Sequence, residues 1–286
     1  MSNFSGIWIP LVTPFSGGAV DHAALAALVA RYRGAGVAGF AAFGTTGELA
    51  ALSHDEQASV LTTILDAAEG TPVIAGVAGN QPAAVAERIR HFGEMPLAGL
   101  LVSAPYYIRP SQAGLIDFFS TLADVSAHPF VLYDIPYRTG VRIELETLLT
   151  LAAHPRIAAI KDCAGSVDTT RALIADGRLQ VLAGNDDAIF QTLCMGGSGA
   201  IAATAHLKTE RFVAMYEALS QGRLVEGRAI FHELAPLVNA LISEPNPAPV
   251  KAALAIQGLI ANELRKPMTV ASEALGARLA QLQAQH

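Results

Sequence analysis

The chain has 286 residues, of which 52% are hydrophobic and 15% charged, so it can bury a large core and does not resemble a disordered chain. Its formal net charge is −6 and it has no basic run, which argues against nucleic-acid or anionic-membrane partners. Two cysteines cannot make a disulfide framework, and no signal sequence or membrane-length apolar stretch is found, so we expect a cytoplasmic protein.

Short apolar runs rich in Val, Ile and Ala recur along the chain, and each ends in Gly, Pro, Thr, Ser or another polar residue. Continuous apolar runs of this length are typical of strands buried on both faces, as in a parallel sheet. We predict eight strands, at Ile7–Val12, Gly39–Phe43, Pro72–Val77, Gly99–Ser103, Phe130–Tyr133, Ala158–Lys161, Gln180–Ala183 and Gly199–Ala202.

Amphipathic segments lie between these runs and predict helices. One of them opens with Ser53, and Glu56 three residues later completes the pattern of a capping box. The predicted helices are Asp21–Arg33, Ser53–Ala68, Pro82–Phe92, Leu115–Ala127, Glu144–Ala153, Val167–Ala175, Asp187–Cys194, Thr209–Leu219, Leu224–Ser243, Pro249–Ala261 and Thr269–Gln283.

Strand and helix alternate eight times without a break in composition, which favours a (β/α)8 TIM barrel. An open doubly wound sheet is the competing fold, but no Gly-x-Gly-x-x-Gly follows the first strand. We predict that residues 1–222 form the barrel and carry the active site. Residues 223–286 are expected to form a C-terminal helical appendage packed on it.

Catalytic residues of such barrels lie at the carboxyl ends of the strands, and Lys161 ends the sixth predicted strand. A buried ammonium is costly unless it is paired or neutralised, and a neutral amine is the form that attacks a ketone. Lys161 is therefore predicted to be a Schiff-base nucleophile, with an ion pair to Asp162 or another acid as the alternative. Lys208, Lys251 and Lys266 are interpreted as surface lysines.

Four tyrosines lie at or just beyond the ends of the fourth and fifth strands: Tyr106, Tyr107, Tyr133 and Tyr137. Phenols that are hydrogen-bonded to a hydroxyl such as that of Thr45 can relay protons. The alternative is that they are ordinary half-buried aromatics at the rim.

Two features could bind carboxylates. Gly44–Gly47 predicts a tight loop whose free N–H groups and hydroxyls can bind an anion, although it could also be a plain turn. Arg138 could bind a second carboxylate in bidentate fashion, or could be a surface arginine. No His or Cys cluster has metal-ligand spacing, so no metal is expected.

These segments together resemble the dihydrodipicolinate synthase and N-acetylneuraminate lyase family of class I, pyruvate-binding aldolases. The resemblance runs from about Ser5 to Val270. The double tyrosine and the Arg-Thr-Gly segment are most similar to members that condense pyruvate with L-aspartate 4-semialdehyde in lysine biosynthesis. The matching segments are Gly44–Glu48, Pro105–Pro110, Tyr133–Gly140, Ile160–Asp162, Glu244–Pro247 and Arg265–Thr269.

The resemblance implies a role for each matching residue and no cofactor other than the covalent imine. Lys161 would form that imine with pyruvate, while Tyr133, Thr45 and Tyr107 would carry protons. Tyr107 would come from a neighbouring subunit, so a homodimer, usually within a homotetramer, is expected. The implied substrate-binding residues are Thr45 and Thr46 for the pyruvate carboxylate, Gly184 and Ile201 for the pocket lining, and Arg138 for the semialdehyde carboxylate.

The chain departs from the family pattern in two ways. Asp134 and Ile108 stand where Asn is common, at positions that are not expected to do chemistry. At the positions of the lysine effector site, His54, Asn80 and Tyr106 match, whereas Leu49, Gln57 and Ala84 replace a serine, a histidine and a glutamate. Without that acid the ammonium of lysine is poorly paired, so lysine inhibition is predicted to be weak or absent.

Three other functions stay open on sequence grounds. One is a sister aldolase or dehydratase that acts on a 2-keto-3-deoxy sugar acid or on sialic acid. Another is a non-catalytic protein that binds a keto acid. The third, a phosphate-binding barrel, is disfavoured because the glycine-rich stretch Met195–Gly199 precedes the eighth strand.

Overall fold

The structure is a computed structural model that describes residues 3–284. Its strands agree with the apolar runs of the sequence, and two short strands are added near the N-terminus. The strands are β1 Gly6–Pro10, β2 Phe15–Ser16, β3 Ala19–Val20, β4 Gly39–Ala42, β5 Val73–Val77, β6 Gly99–Ser103, β7 Phe130–Asp134, β8 Ile157–Asp162, β9 Gln180–Ala183 and β10 Gly199–Ile201.

The helices also follow the predicted order, and Ser53 and Glu56 form the predicted capping box at the start of the second helix. A four-residue helix, Pro136–Thr139, was not predicted. The helices are α1 His22–Gly34, α2 His54–Ala68, α3 Pro82–Phe92, α4 Gln112–Asp124, α5 Pro136–Thr139, α6 Leu145–Leu151, α7 Val167–Asp176, α8 Ile189–Cys194, α9 Thr209–Ser220, α10 Leu224–Leu241, α11 Ala248–Ile256 and α12 Glu273–Ala284.

Eight of the strands form a closed barrel in the order β1-β10-β9-β8-β7-β6-β5-β4, with helices between successive strands. The predicted (β/α)8 barrel is confirmed. The antiparallel pair β2–β3 was missed because two-residue strands carry no hydrophobic period.

The chain divides into two compact units, residues 3–6 with 72–201 and residues 7–71 with 202–284. In the first unit, β5 to β10 pair in parallel, and the register sets Tyr133 of β7 beside Lys161 of β8. In the second unit, β1 pairs with β4, α1 packs on α2, and α9 to α12 pack on one another. The predicted division at residue 222 lies between α9 and α10 and stays a prediction.

Four barrel strands, β1, β4, β5 and β7, are buried at every residue. This is expected of parallel strands that are covered on both faces. Within residues 3–284, no helix has the length and hydropathy that a membrane crossing needs.

Close backbone packing at Gly199 gives a test of the fold. A Cβ at this position would collide with the backbone oxygen of Gly6 and lie 2.7 Å from its nitrogen. Because backbone atoms cannot move aside, Gly199→Ala is expected to cost about 3 kcal/mol of unfolding free energy. Urea unfolding measures it.

The matched control is Gly276→Ala in α12, where a Cβ meets no atom within 4 Å. This change is expected to be neutral or to stabilise by about 0.5–1 kcal/mol, since alanine is the better helix former. Equal unfolding midpoints for the two variants would contradict the close packing of β10 against the start of β1.

Candidate active site

Lys161 lies near the carboxyl end of β8, in register with Tyr133 on β7. Both side chains are buried, with 7% and 8% of their surface exposed. The Nζ atom of Lys161 is 4.5 Å from the centroid of the Tyr133 ring. Lys161 is thus an enclosed amine that directly contacts an aromatic ring carrying a phenol.

The alternative in which Lys161 pairs with Asp162 does not agree with the geometry. Successive residues of a strand point to opposite faces. The carboxylate of Asp162 accepts hydrogen bonds from Thr170 Oγ1 at 2.5 Å and from the backbone N of Ala164 at 2.9 Å. In the described part of the chain, the lysines that form ion pairs are Lys208 and Lys251.

Gly184 directly follows β9 and packs against the side chain of Lys161. Its N–H donates to the carbonyl of Asp162 at 2.9 Å, and a Cβ at this position would lie 2.9 Å from Lys161 Cγ. The same Cβ would collide with the sulfur of Cys163, whose burial raises the pKa of the thiol to about 12. Glycine is therefore required here for steric reasons. Ile201, at the end of β10, is also buried.

The remaining predicted residues of the first unit are exposed. Tyr107 is 88% exposed and adopts φ 72°, in the left-handed region, while its N–H donates to the carbonyl of Thr139 at 3.0 Å. Arg138 is exposed, with its guanidinium carbon 5.6 Å from the centroid of the Tyr137 ring. Among residues 3–284 no carboxylate forms an ion pair with Arg138, so its guanidinium is available to a ligand.

The predicted tight loop lies in the second unit, where Thr45–Gly47 form a single 3-10 turn. The N–H groups of Gly47 and Glu48 close this turn on the carbonyls of Gly44 and Thr45, each at 3.1 Å. The first N–H groups of a helical turn have no acceptor inside it, so those of Thr45 and Thr46 remain available. Thr46 is buried and its Oγ1 accepts a hydrogen bond from Asn246 Nδ2 at 2.9 Å.

Lys251 was predicted to be a surface lysine, and this is wrong. It is fully buried, forms an ion pair with Glu48, and donates to the carbonyl of Glu263 at 2.9 Å. Burial lowers the pKa of Lys251, and the carboxylate of Glu48 opposes that effect. The signal that could have revealed it is the near-uniform apolar composition of α11, because a helix that is apolar all round is buried all round.

Asp134 is a second feature that the sequence did not reveal. It is 1% exposed; its Oδ1 accepts from the N–H of Ile143 at 3.3 Å, and Oδ2 has no partner within residues 3–284. Burial raises the pKa of Asp134 to about 7, and the neighbouring Asp162 adds to this, while the hydrogen bond from Ile143 opposes it. The carboxyl group next to Tyr133 is thus largely protonated in mildly acidic solution.

The family model described as the dihydrodipicolinate synthetase family matches residues 3–285. A 4-hydroxy-tetrahydrodipicolinate synthase from Haloarcula marismortui is 38% identical over 95% of this chain and 90% of the relative. One from Hyphomonas neptunium is 40% identical over 96% of each chain. The chain belongs to the dihydrodipicolinate synthetase family.

Solved structures agree with this assignment. The crystal structure of the chloride-inhibited dihydrodipicolinate synthase from Acinetobacter baumannii, complexed with pyruvate, superposes with a TM-score of 0.95. It is 31% identical and covers 99% of this chain and 98% of that chain.

The protonation of Asp134 predicts how stability depends on pH. Its folded-state pKa of about 7 lies above the ordinary value of 3.8, so between these pH values the folded state holds a proton that the unfolded chain releases. Stability therefore falls as pH rises through this window. Asp134→Asn removes this loss and is expected to unfold at a higher temperature than the unmodified chain at about pH 8, with little difference at about pH 4.

Thermal unfolding across this pH range measures the effect. Asp117→Asn, at an exposed position of α4, is the matched control and is expected to keep the pH dependence of the unmodified chain. Parallel curves for the Asp134→Asn variant and the unmodified chain would contradict the raised pKa of Asp134 in the folded state.

Proposed function

We propose that the chain catalyses the Schiff-base condensation of pyruvate with L-aspartate 4-semialdehyde, the 4-hydroxy-tetrahydrodipicolinate synthase reaction of lysine biosynthesis. The observation that carries this proposal is the enclosed amine of Lys161 beside Tyr133, in a chain that matches synthases over nearly its whole length. The A. baumannii relative bound pyruvate in its crystal.

Lys161 is the proposed nucleophile. Its neutral amine adds to the ketone of pyruvate, and loss of water gives an imine that withdraws electrons from the neighbouring methyl group. A proton then leaves the methyl carbon, and the resulting enamine attacks the aldehyde carbon of the second substrate. No metal or separate cofactor is proposed for these reaction steps.

Proton transfer is assigned to Tyr133, Thr45 and Tyr107. Support is strongest for Tyr133, because its ring contacts the Lys161 amine. Water is lost when the imine forms at this nitrogen and adds again when the imine is hydrolysed, and both steps need proton transfer. Thr45 and Tyr107 are assigned through the family resemblance.

The pyruvate carboxylate is assigned to Thr45 and Thr46, whose available N–H groups and hydroxyls suit an anion. Gly184 and Ile201 are assigned to the pocket lining. Support for Gly184 is its contact with the aliphatic stem of Lys161, where any added side chain would displace the lysine.

Tyr107 is assigned to the active site of a neighbouring subunit in a homodimer, which is usually paired into a homotetramer. The support is its exposure, together with that of Tyr106 and Ile108, at 88%, 46% and 56%. Three consecutive large side chains that face solvent mark a surface suited to a protein partner. Location in the cytoplasm is also proposed, since Cys163 and Cys194 are both free thiols.

Arg138 separates the synthase from a sugar-acid aldolase, because a guanidinium suits a short carboxylated aldehyde, whereas sugar acids need several hydroxyl partners. Arg138→Ala is expected to lower kcat/KM for the semialdehyde about 100-fold, the effect of losing a bidentate charged contact. The rate of imine formation with pyruvate is expected to change less than about twofold.

Steady-state condensation assays and borohydride trapping of the pyruvate imine measure these two effects. The matched control is Arg171→Ala, an exposed arginine of α7 that pairs with Asp168 and is expected to keep full activity. Equal losses in both assays would remove the role of Arg138. Cleavage of a 2-keto-3-deoxy sugar acid without semialdehyde condensation would favour the sister aldolase.

Lysine is expected to inhibit weakly or not at all. Gln57 stands where an effector-binding histidine is expected, and its side-chain N–H donates to the carbonyl of Leu52 at 3.0 Å. Ala84 offers no carboxylate to the ammonium of lysine. Steady-state assays at increasing lysine concentration test this, and strong inhibition at submillimolar lysine would contradict it.

A further inference from the structure

The Thr45–Gly47 turn in the second unit is held by side chains from distant parts of the sequence. Thr13 Oγ1 donates to the carbonyl of Gly47 at 2.7 Å, and Asn246 Nδ2 donates to Thr46 Oγ1 at 2.9 Å. Glu48, directly after the turn, is bound by Lys251. Thr46, Gly47 and Glu48 are therefore each held by a contact with a residue distant in sequence.

The hydrogen bond from Asn246 sets the direction in which Thr46 can donate. A threonine hydroxyl has one proton, and its oxygen here already accepts from the Asn246 amide. The proton of the Thr46 hydroxyl must therefore point to a different acceptor. With the N–H groups of Thr45 and Thr46 also available, the turn offers several donors and is suited to a carboxylate.

Glu48 adopts φ 52°, the left-handed region that non-glycine residues seldom occupy because of steric strain. The contacts of its carboxylate hold it there. Lys251 is fully buried and forms an ion pair with it, and the N–H of Arg265 donates to Oε2 at 3.1 Å.

Lys251 is itself fixed by neighbours other than Glu48. Its Nζ donates to the carbonyl of Glu263 at 2.9 Å and lies 4.2 Å from the centroid of the Phe15 ring. A buried ion pair contributes little net stability compared with apolar residues of the same volume, but it can fix one conformation among several. The geometry at Glu48 is consistent with such a conformational role.

We propose that Asn246 and the buried Glu48–Lys251 pair are positioning residues that hold the Thr45–Gly47 turn in the conformation that binds the carboxylate of the keto acid. This inference rests on the proposed function, in which Lys161 forms the imine and the turn binds the carboxylate. The preference of the enzyme for ketones that carry a carboxylate thus depends on residues that do not contact the substrate.

Two ketones separate carboxylate binding from imine chemistry: pyruvate, and acetone, which has no carboxylate. The measurement is borohydride trapping on Lys161 as a function of ketone concentration. Asn246→Ala is expected to raise the pyruvate concentration for half-maximal trapping about tenfold, since the Thr46 hydroxyl is then free to turn away. Trapping of acetone is expected to stay within about twofold of the unmodified enzyme.

A double-mutant cycle tests whether Asn246 acts through Thr46. Thr46→Val removes the hydroxyl while keeping the shape of the side chain. If Asn246 acts only on that hydroxyl, the Thr46→Val/Asn246→Ala double variant requires no more pyruvate than Thr46→Val alone. The inference for Asn246 would be overturned if the two substitutions raised the required pyruvate concentration multiplicatively in the double variant. It would also be overturned if Asn246→Ala impaired trapping of pyruvate and of acetone equally.

The ion pair is tested by replacing both charges at once, because Lys251→Met alone leaves a buried carboxylate unpaired and can prevent folding. Glu48→Gln/Lys251→Met is expected to fold and to raise the half-maximal pyruvate concentration about tenfold, with acetone trapping unchanged. A pyruvate dependence like that of the unmodified enzyme would remove the pair from the proposal. The control is Gln257→Ala, which loses only an exposed contact to Gln283.

Failure of the proposed function looks different from failure of this inference. If the unmodified enzyme gives no Lys161 adduct with either ketone, the imine chemistry itself is wrong. If it gives adducts with both and the variants do not separate them, only the positioning role is overturned.

Discussion

The amine of Lys161 is held by parallel strand pairing on both sides, with Tyr133 of β7 and Leu182 of β9 as its register partners. Backbone hydrogen bonds of a closed barrel allow these strands little freedom, so Lys161 and Tyr133 stay side by side on neighbouring strands, with the amine 4.5 Å from the centroid of the phenol ring. Gly184 then fits against the lysine stem only because it has no side chain. The chemistry that we propose depends on this position of the amine, because the imine forms at the Lys161 nitrogen beside the phenol that is proposed to transfer protons.

Two lysines are buried within residues 3–284, and their surroundings give them different roles. Lys251 lies within reach of the Glu48 carboxylate and the Glu263 carbonyl, so its charge is compensated and serves to fix a turn. For Lys161, the acid next in sequence is bound to Thr170 on the other face of the strand. The Glu48 carboxylate offsets the cost of burying the charge of Lys251, whereas Lys161 is left beside the ring of Tyr133.

The apolar runs predicted all eight barrel strands, and the resemblance pointed to Lys161 and Tyr133 before any geometry was known. Other features depend on three-dimensional neighbours. The ion pair of Lys251 depends on Glu48, and the raised pKa of Asp134 follows mainly from its burial, to which Asp162 on the adjacent strand adds. The apolar composition of α11 does indicate that Lys251 is buried, but Glu48 and Asp162 are distant in sequence from Lys251 and Asp134, so no local pattern could reveal these two contacts.

The most direct test of the central claim is reduction of the enzyme–pyruvate mixture with borohydride, followed by peptide mass spectrometry. We predict one pyruvate adduct, on the peptide that contains Lys161, and none in a Lys161→Ala variant whose unfolding midpoint shows that it is folded. An adduct on Lys251 or on a surface lysine, or no adduct at all, would contradict the account of Lys161 as the imine-forming residue.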